Sequence, residues 1–137
     1  MWWIYALLSA LFAALTAIFA KIGVANVNPN LATAIRTVVI LIVAWAIVLV
    51  RGGSKELSSI SKYSLLMLVI SGIATGLSWI FYFKALQVGK VSQVAPVDKL
   101  SVALALILSV VFLHETISLK MAIGAALIIA GTVVMIV

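Results

Sequence analysis

Charge is scarce in this sequence and cysteine is absent. Asp, Glu, Lys and Arg make up 9 % of the 137 residues, against about 25 % in a soluble domain. No globular domain can be clothed in an aqueous surface with so few charges, so the chain reads as one domain over 1–137 with no soluble appendage. The missing cysteine excludes disulfides and thiolate metal sites, and leaves the redox compartment unmarked. There is no Gly-rich phosphate loop, no metal-ligand cluster and no Ser/His/Asp arrangement, and the one histidine, His114, reads as a structural residue at a helix end beside Glu115. The expectation is therefore no enzyme, no catalytic residues, no metal and no cofactor. A basic n-region is lacking too: Trp2 and Trp3 follow Met1 directly, and the first apolar run is longer than the ~7–15 residues of a signal-peptide core. It reads as a retained membrane span, with Trp2, Trp3 and Tyr5 at headgroup level.

What is present is hydrophobicity, at 66 % of the residues, gathered into five runs at 2–20, 31–50, 65–85, 91–113 and 119–137. A hydrocarbon core about 30 Å thick takes about 20 helical residues at ~1.5 Å each. The expected fold is all-α and integral to the membrane, with five transmembrane helices. An odd number of spans puts the two termini on opposite faces. The connections are short. Asn28-Pro29-Asn30 marks a turn with the proline just before the second helix. Gly52-Gly53 closes that helix, and Ser61 or Ser64 caps the third. Residues 87–90 and 114–118 are tight turns, so consecutive later helices are antiparallel neighbours.

The net charge of +6 belongs to span flanks and does not mark a nucleic-acid surface. Following the chain across the membrane, Lys21, Arg36, Lys84, Lys90, Asp98 and Lys99 share one face with a net +4, and Arg51, Lys55, Glu56, Lys62, His114, Glu115 and Lys120 share the other with +2. The positive-inside rule needs a bias of loop lysines and arginines. Four against three gives none, which leaves both single and dual insertion open. Three charges lie within spans: Arg36, Asp98 and Lys99. The helical neighbours of Asp98 at three and four residues are Val94, Ala95, Ser101 and Val102, none of them basic. Lys99 is turned ~100° away along a helix. A partner for Asp98 is thus expected from another helix or another chain, with Arg36 the match by depth. Such a pair would lock two helices, line a polar cavity, or do both.

Polar residues recur at helical spacing. Ser71, Thr75, Ser78 and Tyr82 follow i, i+4, i+7, i+11 on the third run, and Asp98, Ser101, Ala105 and Ser109 follow i, i+3, i+7, i+11 on the fourth. Ser9, Ala13 and Thr16 do likewise on the first. These stripes suit either a shared, partly wet interior or close dry packing with hydroxyls bonded across the interface. Gly72-x3-Gly76 and the Ala122, Ala126, Ala130 series are association seams, and the fifth run reads as a packing or dimerisation helix.

Four segments carry a resemblance. They are Trp79-Ile80-Phe81-Tyr82-Phe83-Lys84-Ala85-Leu86, Ala95-Pro96-Val97-Asp98-Lys99-Leu100-Ser101, Phe112-Leu113-His114-Glu115, and Gly124 to Gly131. Together with Lys21, Pro29 and Arg36 they make the chain resemble the EamA-type module of the drug/metabolite transporter superfamily over essentially its whole length. Pro-x-Asp-Lys-Leu-Ser looks like the single-module bacterial and archaeal branch. His114 departs from the pattern, in which a glycine commonly precedes the glutamate. Members often carry two modules in ten helices, the second inverted relative to the first. The resemblance and the odd span count together imply a homodimer in the bacterial or archaeal cytoplasmic membrane, antiparallel if insertion is dual, working by alternating access around a midplane site. The implied function is secondary transport of small metabolites or drugs. The candidate pathway is Arg36, Ser71, Thr75, Ser78, Trp79, Tyr82, Asp98, Lys99 and Ser101, with Asp98 the candidate for proton coupling. The positive excess on one face points to an anionic or zwitterionic solute, or to lipid phosphates. A non-transporting membrane subunit or lipid-handling partner is the alternative. A channel is disfavoured by the lack of a charge ring or carbonyl-rich filter.

Overall fold

Helix α1 begins at Trp2 and runs without a break to Val24 in the computed structural model, four residues past the end of the first apolar run. The structure describes residues 1–136; the side chains of Ser54, Lys55 and Glu56, and Val137, lie outside the described residues, and with them two of the charges assigned to the Arg51 face and the last residue of the fifth run. After α1 come α2 (Pro29–Val50), a 3-10 helix (Gly53–Ser59), α3 (Lys62–Val88), α4 (Val91–Asp98), α5 (Leu100–Leu113) and α6 (Leu119–Ile136). There is no strand among the described residues. Five stretches are long and apolar enough to cross a membrane: α1, α2, α3, Val91–Leu113 and α6. The all-α fold with five spans is as the sequence implies. The helix ends differ, because caps rather than hydrophobicity set them.

Two compact units make up the chain, Phe19–Gln87 and Met1–Ile18 with Val88–Val137. In the first, Asn28 caps α2: its side-chain oxygen accepts from the Asn30 N–H at 2.9 Å, with Pro29 in the first turn, where a missing N–H costs nothing. Gly52 ends the helix in the left-handed region at φ 72, which glycine alone adopts without a Cβ penalty. Ser61 caps α3, its Oγ accepting from the Ser64 N–H at 3.0 Å. The third helix therefore starts at Lys62, three residues ahead of the apolar run. At the opposite end, α1 and α3 cap one another. The Lys21 ammonium donates to the Leu86 carbonyl. The Gln87 amide donates to the Val24 carbonyl at 2.8 Å and the Val27 carbonyl at 2.6 Å. Each helix thus satisfies carbonyls that the other's last turn leaves unbonded, and a cation sits at a helix C-terminus, where the dipole favours it. Val24, Phe83 and Leu86, at 2 %, 1 % and 0 % exposure, are the core beneath this clamp.

In the second unit α6 packs against α4 and α5. Here the structure corrects the sequence reading, for the fourth run is two helices. Pro96 lies within α4. It has no N–H for the carbonyl four residues back, and its ring crowds that carbonyl. The ladder gives way two residues later: the Lys99 N–H turns to the Pro96 carbonyl at 3.0 Å, and Val102 N–H bonds Lys99 O at 3.0 Å. Thr132, at 4 % exposure the buried polar residue of α6, donates its hydroxyl to Ile128 O at 2.8 Å and lies 3.3 Å from Pro96 O. A hydroxyl from a neighbouring helix is the usual support for a broken helix at membrane depth. α5 ends on His114 in the left-handed region (φ 54, ψ 30), with its N–H returning to Ser109 O. Ser118 opens α6, accepting from the Met121 N–H at 3.3 Å.

Candidate functional site

Arg36 is the eighth residue of α2, about 10 Å along the helix axis from its start. Its guanidinium carbon lies 4.7 Å from the centre of the Trp79 ring and 4.9 Å from that of Phe83. Trp79 and Phe83 are one helical turn apart on α3, so both rings present to the same neighbour. A desolvated guanidinium over an aromatic face gains roughly 2 kcal/mol. This attraction offsets part of the cost of a cation within a span. Tyr82 lies within electrostatic reach of the same group, and its ring is 6.2 Å from that of Phe83. Within 19–87 no described carbonyl or carboxylate accepts a hydrogen bond from Arg36. The same stretch of sequence carries Lys21, Arg36, Arg51, Lys55, Lys62 and Lys84 against a single acid, Glu56.

Of the candidates named from the sequence, Arg36, Trp79 and Tyr82 come together here. Ser71, Thr75 and Ser78 continue the same helical face of α3 and are exposed. Thr75 returns its hydroxyl to the Ser71 carbonyl at 2.9 Å, a back-bond that satisfies the proton without a partner helix. Phe83 is the residue sequence reasoning passed over. An aromatic inside an apolar run reads as lipid-facing; the signal that could have found it is a ring pair four residues apart on one span and an arginine on another.

Asp98, Lys99 and Ser101 lie in the other unit, at the α4–α5 break. Asp98 does not await a partner from another helix: its Oδ2 is 3.2 Å from the Lys99 Nζ. The carboxylate thus has a basic partner next to it in sequence, on the same unit. The argument that Lys99 points ~100° away holds for a continuous helix. Here α4 stops at Asp98, Lys99 bridges to α5 with ψ −9, and its four-carbon stem reaches back. Among the described residues no three His, Asp or Glu side chains gather as a metal site would require.

The comparison with known proteins agrees with this architecture. The model of the EamA-like transporter family matches residues 1–137. An uncharacterized transporter in the cobO 3′ region of Sinorhizobium sp. is 50 % identical over 134 residues, covering 98 % of this chain and 95 % of the relative. An uncharacterized protein of Methanocaldococcus jannaschii is 31 % identical over 132 residues, 96 % of this chain and 93 % of the relative. No solved structure matches the chain. Five helices of spanning length and a family match over the whole chain make this a multi-pass membrane protein, and it belongs to the EamA-like transporter family.

Proposed function

We propose that the chain is one half of a secondary transporter, not an enzyme, moving small metabolites or drugs across a cytoplasmic membrane as a homodimer by alternating access. The observation that carries the reading is Arg36: in a chain of a transporter family, a guanidinium inside a span is held by two rings, with no acceptor for its N–H edges among the described residues of 19–87. Ionisable groups at such depth mark solute or ion pathways. Arg36, Trp79 and Tyr82 with the exposed hydroxyls of Ser71, Thr75 and Ser78 form one wall. Asp98, Lys99 and Ser101 lie at the broken helix of the other unit, and discontinuous helices are where transporters commonly bind. Asp98 is the proton-coupling group. Support for a second copy comes from the seams: a Cβ placed on Gly72, Gly76, Gly124 or Gly131 would meet nothing within 4 Å, and Ala122, Ala126 and Ala130 are exposed. These faces are free for another helix to approach closely.

The test is flux in proteoliposomes, with solutes chosen by a thermal-shift screen of the purified protein against amino acids, nucleobases and organic cations. Wild-type protein should move a stabilising solute faster than protein-free vesicles. The Asp98→Asn variant should lose the pH dependence of that flux. No flux of any stabilising solute would remove the transport reading, and an unchanged pH profile would remove Asp98 from its role.

A further inference from the structure

We infer that the Arg36 edge is an oxyanion subsite, and that the solute group it takes is a carboxylate; this rests on the transport reading and names its substrate class. A guanidinium offers two kinds of surface. Its face binds π systems, and its edge carries five N–H donors in a planar fork that fits the two oxygens of a carboxylate. In this structure the face is engaged, with ring centres at 4.7 Å and 4.9 Å, and the edge has no described acceptor within 19–87. Among the described residues no side-chain nitrogen is both buried and unpartnered, so the edge is accessible, and because unbonded donors at membrane depth are costly an acceptor from outside this stretch of chain completes the arrangement. The stacking also fixes the fork in place, which removes most of the ordering cost of binding.

Three further features select the chemistry. The sequence of 19–87 holds six basic residues and one acid, Glu56, so the charge balance of this stretch favours a negative group, and none of its described side chains is a carboxylate. Tyr82 lies within electrostatic reach of the guanidinium and adds a polar group to the face of α3 that carries Trp79. The accessible apolar neighbour is the Trp79 ring, Phe83 being buried, and a ring suits a planar, weakly hydrated anion with an organic body better than a compact, strongly hydrated one. A cationic solute would meet Arg36 with like charge and no carboxylate among the described residues of the same unit.

Three sources can supply an oxyanion: a carboxylate solute, a lipid phosphate, or Asp98 of this chain or of a second copy. The experiment separates them. Purified full-length protein is titrated with acetate, lactate, benzoate and glutamate, each beside its own amide, and in a parallel arm with phosphatidylglycerol, while the apparent melting temperature and Trp fluorescence are followed. At least one carboxylate should stabilise the protein where its amide does not. Its apparent Kd should weaken tenfold or more in Arg36→Gln. In Arg36→Lys, which keeps the charge but not the fork, it should weaken severalfold. Equal response to acid and amide, or a shift that survives Arg36→Gln in folded protein, overturns the inference. So does Arg36-dependent stabilisation by phosphatidylglycerol with none by carboxylates. Non-additive loss of stability in Arg36→Gln, Asp98→Asn and their double variant, again with no carboxylate response, assigns the acceptor to Asp98 and also overturns it. Carboxylate binding without flux would sink the transport reading and leave the subsite standing. Flux of a solute lacking a carboxylate, unaffected by Arg36→Gln, would do the reverse.

Discussion

At the scale of single residues, His114 is held against its own stereochemistry. Its φ of 54 is the one positive value at a non-glycine position among the described residues. A left-handed backbone brings an L-residue's Cβ against the following carbonyl at roughly 1–2 kcal/mol. His114→Gly relieves that strain and gives back about 0.4–1 kcal/mol through the freer unfolded chain. The variant should therefore be more stable by about 0.5–1 kcal/mol, read as a rise in the thermal midpoint in detergent. A fall would mean that the imidazole makes compensating contacts. This position was legible in the sequence, because the EamA-type pattern sets a glycine before the glutamate and histidine departs from it. The Ser61 cap was legible as well, since a serine ahead of an apolar run has few other local uses. Phe83 was not. Its significance comes from packing against Arg36 across more than forty residues of sequence, and nothing in the local composition distinguishes it from a lipid-facing ring.

At the scale of elements, the break between α4 and α5 is the feature that hydropathy concealed. A run of apolar residues reports that a segment can sit in lipid, but not whether its backbone is continuous. Pro96 is in plain view, yet a continuous helix through it would turn Lys99 away from Asp98 and leave the carboxylate to a more distant partner. The break, and the hydroxyl that supports it, define a testable coupling. Thr132→Val removes a donor lying 3.3 Å from the Pro96 carbonyl and should cost about 1 kcal/mol. In a Pro96→Ala background the restored N–H allows a straighter helix, in which the Leu100 N–H can take the carbonyl of residue 96, and the cost of Thr132→Val should fall to less than half. Unfolding free energies of the two single variants and the double variant measure this as a cycle. Strict additivity would show that Thr132 serves only its own helix, through Ile128.

At the scale of the whole molecule, the constraint is the parity of the spans combined with the placement of charge. α2 crosses between the α1–α2 turn and the 3-10 segment, so these two connections lie on opposite sides of the membrane in any one copy. Loop bases of four on one side and three on the other give the insertion machinery almost nothing to choose by. Both orientations should then be populated, and a two-fold axis in the membrane plane becomes available to the pair, as it is to inverted-repeat carriers. Asn26 in the first turn and Leu57 in the 3-10 helix are both exposed and stand clear of the residues assigned to the pathway. In cells carrying Asn26→Cys or Leu57→Cys, a membrane-impermeant maleimide should modify about half of either variant from outside, with the remainder reacting only after permeabilisation. The sequence has no native cysteine to confuse the readout. If Asn26→Cys reacts wholly from one side and Leu57→Cys wholly from the other, the copies share one orientation. Any dimer would then be parallel, and the antiparallel carrier would be excluded while the Arg36 subsite, which lies within a single copy, would remain open to its own test.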